Sequence, residues 1–219
     1  METSRWNCGI ICRVFGVFMR DNARTFALCV VAESLNLISS YVFYEMLHIP
    51  LFMDTIFTVA ITFYCGLLPA LGVAVFYNVI SCMTSVARGY AFDPYIALFG
   101  LCGAVIVLVT WFFARRKQEF RISLPVTMAY LFLIAVISSF CSIFTSGIID
   151  YIRFSLSDIP DRVAPVKNFT DSFQKQHFSL LASCILGQIP VALTDRIVTT
   201  FAGFGVYRLM VSCFGEERW

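Results

Sequence analysis

Four arginines, Arg5, Arg13, Arg20 and Arg24, and a second basic cluster, Arg115, Arg116, Lys117 and Arg121, bracket apolar stretches that only lipid accommodates comfortably. Clustered positive charge between long apolar runs is the mark of membrane-spanning helices. Hydrophobic residues make up 59% of the chain and mean hydropathy is +0.80, far above a soluble domain. The chain reads as an all-α, polytopic membrane protein, because only helices satisfy the backbone in such a setting without forming a closed barrel. Every polar residue inside an apolar run then becomes a functional candidate, since lipid tolerates few of them.

With 219 residues there is room for one compact membrane domain. Formal net charge is only +2 and the basic residues are grouped, which points to topology rather than to a nucleic-acid partner. The nine cysteines are scattered through apolar runs and none forms a Cys-x-x-Cys pair, so neither a disulfide framework nor a metal site is expected. No cofactor is implied. The apolar stretch from Gly9 to Met19 is interrupted by Arg13 and reads as an interfacial helix, not a signal peptide.

Apolar runs mark spans at Thr25–Leu47, Leu51–Gly66, Pro69–Ala87, Pro94–Ala114 and Leu124–Ile149, followed by a tract from Phe178 to Ser212. Pro50, Pro69, Pro94, Pro125 and Pro190 each head such a run, where the first helical turn has no use for an amide hydrogen. Pro190 divides the last tract into a short external or re-entrant helix, Phe178–Ile189, and a sixth span, Val191–Ser212. The expected architecture is a six-transmembrane-helix bundle (residues 25–212), with residues 1–24 and 213–219 cytoplasmic. That topology puts both basic clusters, with Arg208 and Arg218 near the C-terminus, inside the cell, at the plasma membrane. A seventh span, with the C-terminus outside, is the alternative. Asn168-Phe169-Thr170 fits a glycosylation acceptor in an external loop.

Polar residues within the spans gather toward the outer side. The first span carries Asn36, Ser39, Ser40, Tyr41 and Tyr44, and the second opens with Asp54, Thr55, Thr58 and Thr62. The third ends with Asn78, Ser81, Thr84 and Ser85, and the fifth with Ser138, Ser139, Ser142, Thr145 and Ser146. A channel would carry polar lining through its full depth, so an outward-facing pocket closed toward the cytoplasm fits better. For any single serine or threonine, helix packing is the plainer explanation. On the first helix Glu33, Asn36, Ser40 and Tyr44 share one stripe. A carboxylate at that depth must be protonated, paired or functional. Ala23 and Ala27, and likewise Ala70 and Ala74, are small residues four apart, suited to close helix packing within the bundle or to docking another membrane subunit. Asp54 falls in the first turn of its helix, favourable for a negative charge.

The segments Ile49–Thr58 (IPLFMDTIFT), Cys65–Ser81 (CGLLPALGVAVFYNVIS) and Gln188–Leu209 (QIPVALTDRIVTTFAGFGVYRL) resemble one family, the substrate-binding S components of energy-coupling factor (ECF) vitamin transporters. Members of similar layout open the second helix with Pro-Leu-Phe-x-Asp-Thr. They have a Gly-rich turn into a third helix with Asn, and a Pro-Asp-Lys-like element in the last. Here Pro190 is followed by Val191, and the charged pair is delayed to Asp195 and Arg196. The resemblance implies a six-helix bundle with both termini inside and a high-affinity outer pocket for a small-molecule micronutrient. It also implies docking through an Ala-x-x-x-Ala motif, matched by Ala23 and Ala27, onto a transmembrane T subunit driven by two ATPase subunits. The loaded bundle would topple in the lipid bilayer to release its ligand.

The candidate ligand contacts are Asn36, Tyr44, Asn78, Ser85, Arg88, Asp93, Asp150, Arg153, Gln188 and Arg196, with Tyr41, Tyr90 and Tyr95 placed to stack on a planar ring. Alanine at Arg196 or Asn78 should then weaken binding while leaving folding largely intact. A membrane sensor module and a stand-alone proton-coupled carrier using Glu33 are the competing readings. An enzyme is not expected, since the chain has no His-Glu-x-x-His motif and its two histidines, His48 and His177, lie near loops.

Overall fold

The structure, a computed structural model, describes residues 3–47, 49, 51–87, 89, 92–116, 118–121, 123–156 and 164–215; at 3–21, 44–45, 121 and 164–165 it describes the backbone alone. The described elements are all helical: α1 (Thr3–Ser40), α2 (Ile56–Cys65), α3 (Leu67–Ala87), α4 (Tyr95–Leu98), α5 (Gly100–Ala114), α6 (Leu124–Leu156), α7 (Ala164–Lys175) and α8 (Leu180–Phe214). A wider π-helical turn, Tyr41–Met46, continues α1, and a 3₁₀ turn, Glu119–Arg121, precedes α6. Five segments are long and apolar enough to cross a bilayer: Asn22–Phe43, Leu67–Ala87, Tyr95–Ala114, Leu124–Leu156 and Leu180–Phe214.

The expected second span is different in kind. Its helix has only 10 residues and begins at Ile56, after an irregular, non-helical lead-in from Leu51 to Thr55. Ten residues rise about 15 Å, half of a bilayer core. Every residue of α2 but Phe57 is buried, against α1, α3, α5 and α8. It is a central helix with little contact with lipid. Asp54 therefore precedes the helix and does not sit in its first turn.

The last tract is also corrected. Pro190 lies inside one continuous 35-residue helix and divides nothing, so Phe178–Ile189 is not a separate element. The short amphipathic helix before the last long one is α7, further upstream. In lipid a backbone freed by proline has no water to turn to, so continuing the helix with a local adjustment costs less than breaking it. At the N-terminus α1 runs unbroken through residue 24, with no break between an interfacial helix and the first span.

One end of the bundle is tied together by Arg24, whose guanidinium donates to the Tyr64 hydroxyl (2.9 Å) and the Phe214 carbonyl (3.0 Å). Tyr64 in turn donates to the Gly215 carbonyl at 2.9 Å. The same basic end carries Arg115, which stacks over the Trp111 ring at 5.0 Å. From that level α6 and α8 rise about 50 Å, well beyond the 30 Å or so of a hydrocarbon core. Their excess length therefore projects at the opposite end, where α7 packs on α8.

Two apolar clusters fill the half nearer the basic end. One joins Ala32, Ile61, Tyr64, Ala70, Val73, Ala74 and Val107; the other joins Phe63, Ile106, Phe120, Leu131 and Ile134. Ala70 and Ala74 are thus core residues, 0% and 3% exposed. Ala74 lets α5 come so close that a Cβ on Gly103 would lie 3.1 Å from its own. The docking surface expected at Ala70 and Ala74 is therefore an internal α3–α5 contact. Ala23 and Ala27 lie on the exposed surface of α1.

Candidate functional site

Above the apolar half, buried polar side chains from distant parts of the chain converge. Asn36 of α1 reaches α2: its carbonyl oxygen accepts from the Phe57 amide (3.0 Å), and its amide nitrogen donates to the Thr58 hydroxyl (2.9 Å). The first turn of any helix has amides without internal partners, and the N-cap residue of α2, Thr55, makes no side-chain cap. Asn36 meets that need from a neighbouring helix.

The lead-in to α2 is clamped at Met53, one of two described non-glycine residues with a positive φ (48°). Such a conformation costs about 1–3 kcal/mol and persists only when its surroundings enforce it. Here the Met53 amide donates to Asp195 of α8 at 2.8 Å, and its carbonyl accepts from Ser39 of α1 at 2.7 Å. Next to it, Arg196 donates to the Thr55 hydroxyl at 2.7 Å, pairs with Asp195, and lies 3.7 Å from Asp54. The adjacent Asp195 and Arg196 do contact one another, as well as reaching a second element.

A second group lies toward the projecting ends. Arg153 of α6 pairs with Asp93 at 2.9 Å. Asp93 also accepts from the Tyr95 amide at 3.0 Å, which fixes the start of α4. One turn back along α6, Asp150 accepts from Gln188 of α8 at 2.5 Å. Cys102 of α5 is buried and stands within electrostatic reach of members of both groups, Arg196, Asp54 and Asp150.

The structure thus gathers seven of the expected site residues as buried side chains: Asn36, Asn78, Asp93, Asp150, Arg153, Gln188 and Arg196. Six of them bond to side chains or backbone of other elements. Asn78 donates only to the Ala74 carbonyl of its own helix, at 3.1 Å. Ser85 and Tyr95 are half-buried. The Tyr44 side chain, Arg88 and Tyr90 lie outside the described residues, as does the Pro50 boundary. The serine and threonine stripe of α6 resolves into packing: Ser138, Ser139, Ser142, Thr145 and Ser146 each donate to a carbonyl of their own helix. Asn168 and Thr170 are within α7, and Thr170 is 2% exposed against Gly187. Asn168 itself is exposed, but the triplet lies in a helix and not in the external loop expected for it.

Sequence reasoning missed Thr55 as the partner of Arg196, Met53 as the clamped residue, and Tyr77. The Tyr77 phenol, 7% exposed, sits beside Ser40 and Ser81 and within electrostatic reach of Glu33 and Asp54. Polarity would not have found Met53; its position inside the Pro-Leu-Phe-x-Asp-Thr segment was the only signal. Glu33 itself is 9% exposed, and neither of its carboxylate oxygens has a hydrogen-bond partner. Comparison with protein-family models, curated proteins and solved structures finds no match for this chain.

Proposed function

We propose that this protein is the substrate-capture subunit of an ECF-type transporter, taking a micronutrient from outside and delivering it through a T subunit powered by two ATPase subunits. The observation that carries the reading is the division of the bundle into an apolar half at the basic end, where the two core clusters lie, and a buried polar, charged half at the other. A channel needs a polar path through its whole depth. A half-deep polar interior suits binding from one side. By the positive-inside rule the basic end faces the cytoplasm of a plasma-membrane protein, and the polar half faces out.

Mass spectrometry of small molecules released from the detergent-purified protein tests this directly. One metabolite at near-stoichiometric yield is the expected result. A protein that never retains or binds a metabolite, and that co-purifies with no ATPase, would sink the proposal.

The exposed pair Ala23 and Ala27 is the proposed face for the T subunit. A large side chain there prevents close approach of a partner helix. Ala27→Trp should abolish co-purification of the T subunit and ATPases, and with it uptake, while ligand binding stays at wild-type strength. Assembly at normal yield would remove α1 from the docking face.

A further inference from the structure

Among the described residues, four buried carboxylates, Glu33, Asp93, Asp150 and Asp195, stand against two buried guanidiniums, Arg153 and Arg196, and half-buried Asp54 adds to the acidic side. Both guanidiniums are engaged: Arg153 by Asp93, and Arg196 by Asp195, Thr55 and Asp54. Asp150 has the Gln188 amide. Glu33 is different. It is nine-tenths buried, and it is the one carboxylate among the described residues with both oxygens enclosed and without a hydrogen-bond partner. Tyr77 lies within electrostatic reach of Glu33 and of Asp54, and beside Ser40 and Ser81. This buried phenol, with two hydroxyls beside it and two carboxylates in its electrostatic surroundings, makes an acidic and aromatic corner where α1, α3 and the lead-in to α2 come together.

We propose that this corner receives the positively charged group of an organic ligand, a protonated amine or a cationic ring nitrogen, with Glu33 as its counter-charge. The inference rests on the capture reading and names the substrate class of that site. A carboxylate in low dielectric interacts strongly with a cation brought against it, and a tyrosine ring adds attraction for the same charge. An anionic ligand would meet an excess of like charge with both guanidiniums already paired, which costs several kcal/mol in comparable interfaces. A metal ion is a poorer fit, since no three metal-ligating side chains converge among the described residues.

The test uses a small-molecule extract of the source cells, divided by ion exchange into cationic, neutral and anionic pools, and thermal unfolding of the ligand-stripped protein in detergent. The cationic pool should raise the unfolding temperature of the wild type. Glu33→Gln should need at least about tenfold more of that pool for the same rise, the loss expected when one charge-assisted contact goes. Without ligand, Glu33→Gln should unfold no lower than wild type, because it removes an uncompensated carboxylate and keeps the shape.

Stabilisation by the neutral or anionic pool would overturn the cationic class and leave capture standing. Equal response of Glu33→Gln and wild type, or a variant that unfolds well below wild type without ligand, would overturn the role of Glu33. If sodium, potassium or magnesium chloride alone reproduced the shift, the organic ligand would be excluded. If no pool acted, the capture reading would fail with it.

Discussion

Replacing Arg196 by alanine is expected to cost about 3–5 kcal/mol of stability, the loss typical when one partner of a buried ion pair is removed. Arg196 is 5% exposed, and among the described residues its guanidinium is the cation placed against Asp195 and Asp54. Without it the Asp195 carboxylate stays buried and uncompensated while still holding the Met53 amide. Any movement of α8 that relieves that cost weakens the grip of Asp195 on the strained backbone at Met53. The lead-in to α2 should then loosen, and with it the approach of α1 through Ser39. Arg196→Lys should fall between, since a single ammonium cannot serve the Thr55 hydroxyl and two carboxylates with the geometry of a guanidinium. Thermal unfolding of the purified variants in one detergent measures both. A loss below about 1 kcal/mol for the alanine variant would mean that the network is hydrated and not a structural clamp.

A loss of about 3–5 kcal/mol would also revise the expectation that Arg196 could be removed with folding largely intact. The expectation still suits Asn78, which donates only within its own helix. The difference lies in sequence distance. Besides its neighbour Asp195, the partners of Arg196 are Asp54 and Thr55, distant in sequence (141 positions for Thr55), and nothing local announces them. Hydropathy made the long helices legible, because the bilayer demands apolar length and little else. It did not show that the helical part of Leu51–Gly66 has only 10 residues and is buried in protein at all but Phe57, because apolar composition is the same for a helix facing lipid and one facing other helices. Proline was equally ambiguous. In Leu124–Leu156 the proline does stand in the first turn, whereas Pro190 stands mid-helix, and both follow an apolar logic that looks the same in sequence. The outer bias of polar residues was legible as a pattern. Which of them cap, clamp or pack was not, since a serine bonded to its own helix and a serine facing a pocket are the same letter.

The second large effect is expected at a glycine. Gly203 of α8 packs against the first turn of α2 so closely that an added Cβ would lie 2.7 Å from the Ile56 carbonyl oxygen and 2.7 Å from the Val59 Cβ. The oxygen belongs to backbone and cannot swing aside, so one helix must move. Gly203→Ala should destabilise by roughly 1–3 kcal/mol, as overpacking of a filled core does, and Gly203→Leu should prevent the α2–α8 contact altogether. Two residues on, Gly205 has nothing within 4 Å of its Cβ position. Gly205→Ala should be neutral or stabilising by up to about 1 kcal/mol, through helix propensity alone. Composition and hydropathy barely distinguish the two variants, so a difference in unfolding temperature isolates the close approach. Ile56 directly follows Thr55, the partner of Arg196. A displaced α2 would therefore pull on the charged network, and Gly203→Ala should lose ligand affinity as well as stability while Gly205→Ala keeps both. Equal behaviour of the two variants would show that α8 can slide past α2, and that the polar half is not held in register by this contact.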